Sequence, residues 1–292
     1  MAGLKDIRNR ISSVKSTKQI TSAMKMVAAA KLKKAQDRVL QIRPYADKMR
    51  DVLAEVSSSL DKNHASCYGE VRKVEKVLVV LMASNRGLCG GFNSNICKKA
   101  MAHVKENYPA QLEKGNVKFI CLGKKAYDFI LKQKFEIVAH SEEIFDKLNF
   151  ATAAEIAEPI MKDFVDGKYD KVDLIYNSFK NAASQEQKVE PFLPFTIEAG
   201  EGAKKSDYIF EPTVDKIVDD MIPKSMKIQF FKSVLDSFAA EQGARMTAMH
   251  QATDNATELI KTLTLMYNKA RQAAITNELS EITSGEIGRA HV

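Results

Sequence analysis

The apolar positions at the two ends of the chain recur every three or four residues. From the N-terminus they run Leu4, Ile7, Ile11 and Val14, shift register once, and resume at Ile20, Met24 and Val27. From Ala35 the alternation is strict through Val39, Ile42, Ala46, Met49, Leu53, Val56 and Leu60. Alternating steps of four and three form the seam of a left-handed coiled coil. Pro44 falls inside this run, and its missing donor and ring clash predict a kink or a break. The C-terminal end repeats the pattern. After Pro223, a residue suited to a first helical turn, come Ile228, Phe231, Leu235 and Phe238. Ala256, Ile260, Leu263, Tyr267, Ala270 and Ala274 follow, and Leu279 and Ile282 extend the apolar face. Gly243 is the weak point of this helix, costing about 1 kcal/mol against Ala if exposed. At 1.5 Å per residue each helix reaches about 80–90 Å. A compact domain of this mass cannot hide that length. The two ends are therefore expected to pair as a long antiparallel coiled coil, over 1–62 and 213–285, that projects or runs through a partner.

The middle of the chain has a different period. Val77–Met82 is an unbroken apolar run, as in a strand buried on both faces. Helices are predicted at 93–106, 124–132 and 151–165, and further strands at 117–122, 135–139 and 172–179. The stretch 188–195 reads as an edge strand, because Pro191 and Pro194 cannot sit in a sheet centre. This alternation defines the fold class as α/β. A Rossmann-like domain over 72–200, with a mostly parallel sheet and helices on both faces, sits between the two long helices.

Charge sharpens the picture at one end. The net charge is +7. Between Met1 and Arg38 ten Lys or Arg stand against Asp6 and Asp37, so this segment carries +8 and the remainder −1. Cys67, Cys89, Cys97 and Cys121 show neither metal nor disulfide spacing, which fits a reducing compartment. No apolar run is long enough to span a bilayer, and Met1–Ile11 lacks the apolar core of a signal peptide, so the chain reads as bacterial-type and cytosol-facing.

Candidate chemistry is sparse. Ser84-Asn85-Arg86-Gly87-Leu88-Cys89-Gly90-Gly91-Phe92-Asn93 follows a strand and opens a helix, where a phosphate loop would sit. It has neither the GK[ST] ending nor GxGxxG, so tight strand–helix packing is the better reading of its glycines. Cys89 has no persuasive histidine partner. The five histidines are scattered, without HExxH or metal spacing. The adjacent pairs Glu142-Glu143 and Asp219-Asp220 face different ways on a helix. No catalytic residue, metal or cofactor is expected. Two non-enzymatic readings stand. One is a basic coiled-coil nucleic-acid-binding protein, weighed down by an apolar stripe already committed to packing. The other is mechanical: a rod whose seam is rich in small residues such as Ala28, Ala29, Ala30, Ala270, Ala273 and Ala274, turning inside a sleeve.

Three strings decide between them. IRNRISSVKSTKQITSAMKMVAAAKLKKAQ (Ile7 to Gln36) closely resembles the N-terminal signature of the gamma-subunit family of F-type ATP synthases. SNRGLCGGFN (Ser84 to Asn93) is similar to that family's SxRGLCG element. ARMTAMHQATDNATELIKTLTLMYNKARQAAITNEL (Ala244 to Leu279) is similar to its C-terminal signature. The resemblance implies the central-stalk rotor of a proton-translocating ATP synthase, peripheral on the cytoplasmic side of a bacterial inner membrane and without an active site of its own. Its implied partners are the alpha, beta, epsilon and c-ring subunits. Implied beta-subunit contacts are Lys18, Met24 and Lys25 at the beta lever, Arg245 coupled to that region, and Arg271, Gln272 and Thr276 at the catch loop. Tyr208, Ile209, Phe210 and Glu211 match the region near epsilon and the c ring. The tail departs from the family: Glu286–Val292 is the peptide that a common sequencing-adapter sequence encodes, and is expected to be non-native.

Overall fold

In the computed structural model, residues 3–58, 67–146, 148–182, 184–195 and 214–289 are described. Two helices dominate the chain length, α1 (Leu4–Ser58) and α6 (Val214–Arg289). Between them lie β1 (Val77–Met82), α2 (Phe92–Asn107), α3 (Pro109–Glu113), β2 (Val117–Leu122) and α4 (Lys124–Lys132). β3 (Glu136–Ser141), α5 (Phe150–Val165), β4 (Lys171–Phe179) and β5 (Gln185–Leu193) complete the order. Neither proline breaks a helix. Pro44 is exposed inside α1, and α6 begins at Val214, ahead of Pro223, so Pro223 is an interior position instead of a first-turn one. Each helix is long enough, and packed well enough, to absorb the one backbone bond that a proline removes.

The chain divides into two compact units, Met1–Val27 with Met246–Val292, and Ala28–Arg245. The second holds a five-stranded sheet in the order β3-β2-β1-β4-β5. β1 pairs parallel with β2 and β4, β2 pairs parallel with β3, and β5 closes the edge antiparallel to β4. Central β1 is buried at all six positions. Leu78, Val80 and Met82 face one core with α5 and residues 222–235 of α6, joined by Val39 and Leu53 of α1. Val77, Val79 and Leu81 face the other, built from Ile96, Cys97, Ala100 and Val104 of α2 and Ala126 and Ile130 of α4. A strand apolar on both faces fits only between two helical layers, which is why its sequence shows no alternation. Pro191 sits on edge strand β5 where its missing N–H costs no ladder bond, beside an irregularity between Val172 and Asp173.

One polar network inside this unit has no sequence motif. Asp173 on β4, 2% exposed, takes both the Tyr108 hydroxyl at 2.5 Å and His103 Nε2 at 2.8 Å on the same oxygen. Burial first, then the Asp173 charge, push the Tyr108 hydroxyl far above its ordinary range, so it stays a donor. The network holds the α2–α3 corner on β4.

The first unit is a helix pair. Thr21 of α1 meets Thr253 of α6, hydroxyl to hydroxyl, at 2.8 Å. Ala256 and Leu263, 7% and 5% exposed, lie beyond Thr253 on α6. In this unit the residues left to cover them precede Thr21 on α1, so the helices run antiparallel. Half-buried Ile7, Ile11 and Val14 supply that cover, and Ile260, Tyr267, Ala270 and Ala274 continue the seam. The register shift expected near Ile20 is absent. The three-four count from Leu4 continues through Lys18, Thr21 and Lys25, while Ile20 and Val27 are 60% and 57% exposed. Lysine stems cover apolar surface while their ammonium groups reach water, which lets Lys18 and Lys25 occupy seam positions. Leu279 and Ile282 are 58% and 61% exposed, so they do not extend the buried face. Ala30 and Ala273 also lie outside the seam.

Candidate functional site

The sequence-predicted site residues fall into separate places. Lys18, Met24 and Lys25 are half-buried on α1 around the Thr21–Thr253 contact. Arg271, Gln272 and Thr276 are exposed on α6, about 27–35 Å further along from Thr253 at the helical rise. The Thr276 hydroxyl donates to the Gln272 carbonyl at 2.9 Å, leaving the Arg271 and Gln272 side chains to solvent. The first unit thus carries two groups, one basic and one polar, at different heights on the helix pair. Between and around them, Ile20, Met26, Val27, Leu265 and Met266 are all more than half exposed. Sequence reading assigned Ile20 and Val27 to the seam. The signal that places them outside is the unbroken heptad count from Leu4. Tyr208, Ile209, Phe210 and Glu211 lie outside the described residues.

Arg245 belongs to the second unit and to a different environment. Its guanidinium donates to the Glu241 carboxylate at 2.6 Å, to the Gly87 carbonyl at 2.5 Å and to the Arg86 carbonyl at 3.3 Å. The two side chains are 11% and 9% exposed. Burial holds the Glu241 carboxyl above its ordinary range, and the Arg245 pair offsets this only in part.

The Ser84–Asn93 connection that supplies these carbonyls is locked from within. Asn93 Oδ1 accepts the Ser84 backbone N–H at 2.9 Å, and Asn93 Nδ2 donates to Ser84 Oγ at 2.8 Å and to Cys89 Sγ at 3.2 Å. Ser84 Oγ in turn donates to the Arg86 carbonyl at 2.6 Å. Leu88 and Gly90 take left-handed backbone angles, φ 63° and 59°. Asn85 bridges to two later connections, with its Nδ2 on the Glu142 carbonyl after β3 and its Oδ1 on the Lys124 N–H after β2. Carbonyl oxygens converge here on a cation, whereas a phosphate needs N–H groups pointing at it. Cys89 is 2% exposed and burial pushes its thiol up, the reverse of an activated nucleophile. Cys97 and Cys121, pushed up to about 12 by burial, are inert in the same way. Among the described residues no group of three or more His, Cys, Asp or Glu is placed to hold a metal ion.

Solved rotor and central-stalk structures share this fold. A central-stalk and c-ring structure of the Tetrahymena thermophila mitochondrial ATP synthase contains a chain that is 27% identical, with a TM-score of 0.59 over 80% of this chain and 99% of that one. A rotor structure of the Euglena gracilis enzyme, 22% identical with a TM-score of 0.65 over 93% and 98%, shares the fold. The ATP synthase family profile matches residues 3–286. The gamma chain of Christiangramia forsetii is 53% identical over 285 residues, and that of Flavobacterium johnsoniae 52% over 286, each covering 98% of both chains. The chain belongs to the ATP synthase gamma chain family, whose members are non-catalytic subunits. The nucleic-acid reading falls with this match, since the basic helix lies inside the matched region and its seam is spent on α6.

Proposed function

We propose that this chain is the central-stalk rotor of a proton-translocating F-type ATP synthase. It transmits rotation from the membrane c ring to the catalytic alpha–beta hexamer, where ATP forms from ADP and phosphate. The family match along residues 3–286, which spans both terminal helices and the sheet, carries this reading. Alpha, beta, epsilon and the c ring are its partners, and the chain binds peripherally on the cytoplasmic side of a bacterial inner membrane through them. No helix among the described residues is long and apolar enough to cross a membrane.

Lys18, Met24 and Lys25 meet the beta lever in this reading, and Arg271, Gln272 and Thr276 meet the catch loop. The exposure of the second trio, and a local charge of +8 near the first, support the assignment. A basic surface facing acidic levers gains attraction without a rigid fit. Tyr208, Ile209, Phe210 and Glu211 form the epsilon and c-ring set, while Arg245, whose guanidinium is engaged by Glu241 and by the Arg86 and Gly87 carbonyls, is left out of the beta-facing set. The purified chain alone is expected to hydrolyse no ATP, and to restore proton-coupled synthesis when assembled with alpha, beta, epsilon and the c ring. Turnover by the isolated chain, or failure to co-purify with the hexamer, would overturn the reading.

A further inference from the structure

The sheet reverses its winding between β1 and β4. Folds of this kind bind ligands in the crevice outside the strand C-termini at that reversal. Here the Ser84–Asn93 connection leaves β1 at that point, and the group lying on it is the chain's own helix. Ala240 and Ala244 of α6 pack with Cys89 and Phe92, and Phe179 from the end of β4 packs against them. Gly243 permits the approach: a Cβ there would stand 3.3 Å from the Ala182 backbone and from the Phe179 ring. One turn of contacts is then closed by Arg245 on the Arg86 and Gly87 carbonyls. Arg245 is the last residue of the second unit, and α6 continues past it to Arg289.

We propose that the Ser84–Asn93 connection is an anchor that fixes α6 where this helix leaves the α/β unit, with Ser84 and Asn93 as positioning residues. The glycine-rich connection holds a helix in the place where related sheets hold a nucleotide. Asn93 ties both ends of the connection together, and the Ser84 hydroxyl aims the Arg86 carbonyl. The left-handed turns at Leu88 and Gly90 bring the Gly87 carbonyl beside it. Three acceptors, two carbonyls and the Glu241 carboxylate, then engage one guanidinium, whose planar fork reaches all of them at once. The anchor is a property of the fold and stands or falls independently of the rotor reading.

Amide hydrogen exchange on the full-length chain tests it, comparing the parent with Asn93→Ala and Arg245→Lys. Lysine keeps the charge and the Glu241 pair but cannot span all three acceptors. In both variants the α6 amides from Gln242 to Met249 are expected to exchange at least about tenfold faster, the loss of one charge-assisted hydrogen bond. Amides of β1 and β2 are expected to keep the parent rate. Parent-like exchange in α6, or an equal loss in β1 and β2, would overturn the anchor. If Asn93→Ala does not fold, Arg245→Lys decides alone, because its hydrogen-bond partners lie on the connection and on α6.

Discussion

Single residues carry the sharpest constraints in the α/β unit. Gly123 turns the chain from β2 into α4 at φ 94°, and a Cβ there would lie 2.1 Å from the Ala83 carbonyl oxygen. No side chain fits without moving the β1 terminus. Gly123→Ala is therefore expected to destabilise the unit by more than about 2 kcal/mol, read from the denaturant midpoint. Glu241 gives a pH signature. Its folded carboxyl titrates above the ordinary 4.5 because burial disfavours the charge. The folded state then binds more protons than the unfolded one just above pH 4.5, so this group's contribution is largest in acid and falls as pH rises through the folded value. Glu241→Gln removes that slope, and urea melts from pH 4 to 7 are expected to show the variant gaining on the parent as pH rises. Gly243 also changes meaning at this scale. The cost expected of an exposed glycine does not apply, because Gly243 is a buried position whose missing side chain admits Ala182 and Phe179.

At the scale of elements, strands and short helices were legible because each has one dominant pattern. The apolar run of β1 and Pro191 of β5 specified a central and an edge strand, as found, although Pro194 falls just past the end of β5. The long helices were legible in period but not in phase. Hydrophobicity alone drew Ile20 and Val27 into the seam, whereas the continuous heptad put Lys18, Thr21 and Lys25 there. Leu263 is then one of the few large apolar groups sealed in the first unit. Leu263→Ala is expected to lower that unit's stability by about 2 kcal/mol or more, seen as earlier melting of the paired helices. Thr21→Val with Thr253→Val, which replaces both hydroxyls together, is expected to be near neutral by the same melt.

For the whole molecule, the sequence by itself determined the class of each segment, the order of the strands and helices along the chain, and the family through three strings. These follow from local period and residue identity, which need no knowledge of neighbours. Only the tertiary structure decided the rest. It decided that Arg245 is spent on Glu241 and two loop carbonyls, that Asp173 gathers Tyr108 and His103, and that Gly243 is a contact. It also decided that Ile20, Met26 and Val27 face outward. Apart from the Arg245–Glu241 pair, four residues apart on α6, each of these joins residues far apart in the chain or depends on which face of a helix is covered. Spacing along a sequence cannot report a partner that another element brings in from elsewhere in the chain. The terminal helices announced that they would pair; where each is gripped depended on what folding brought against them.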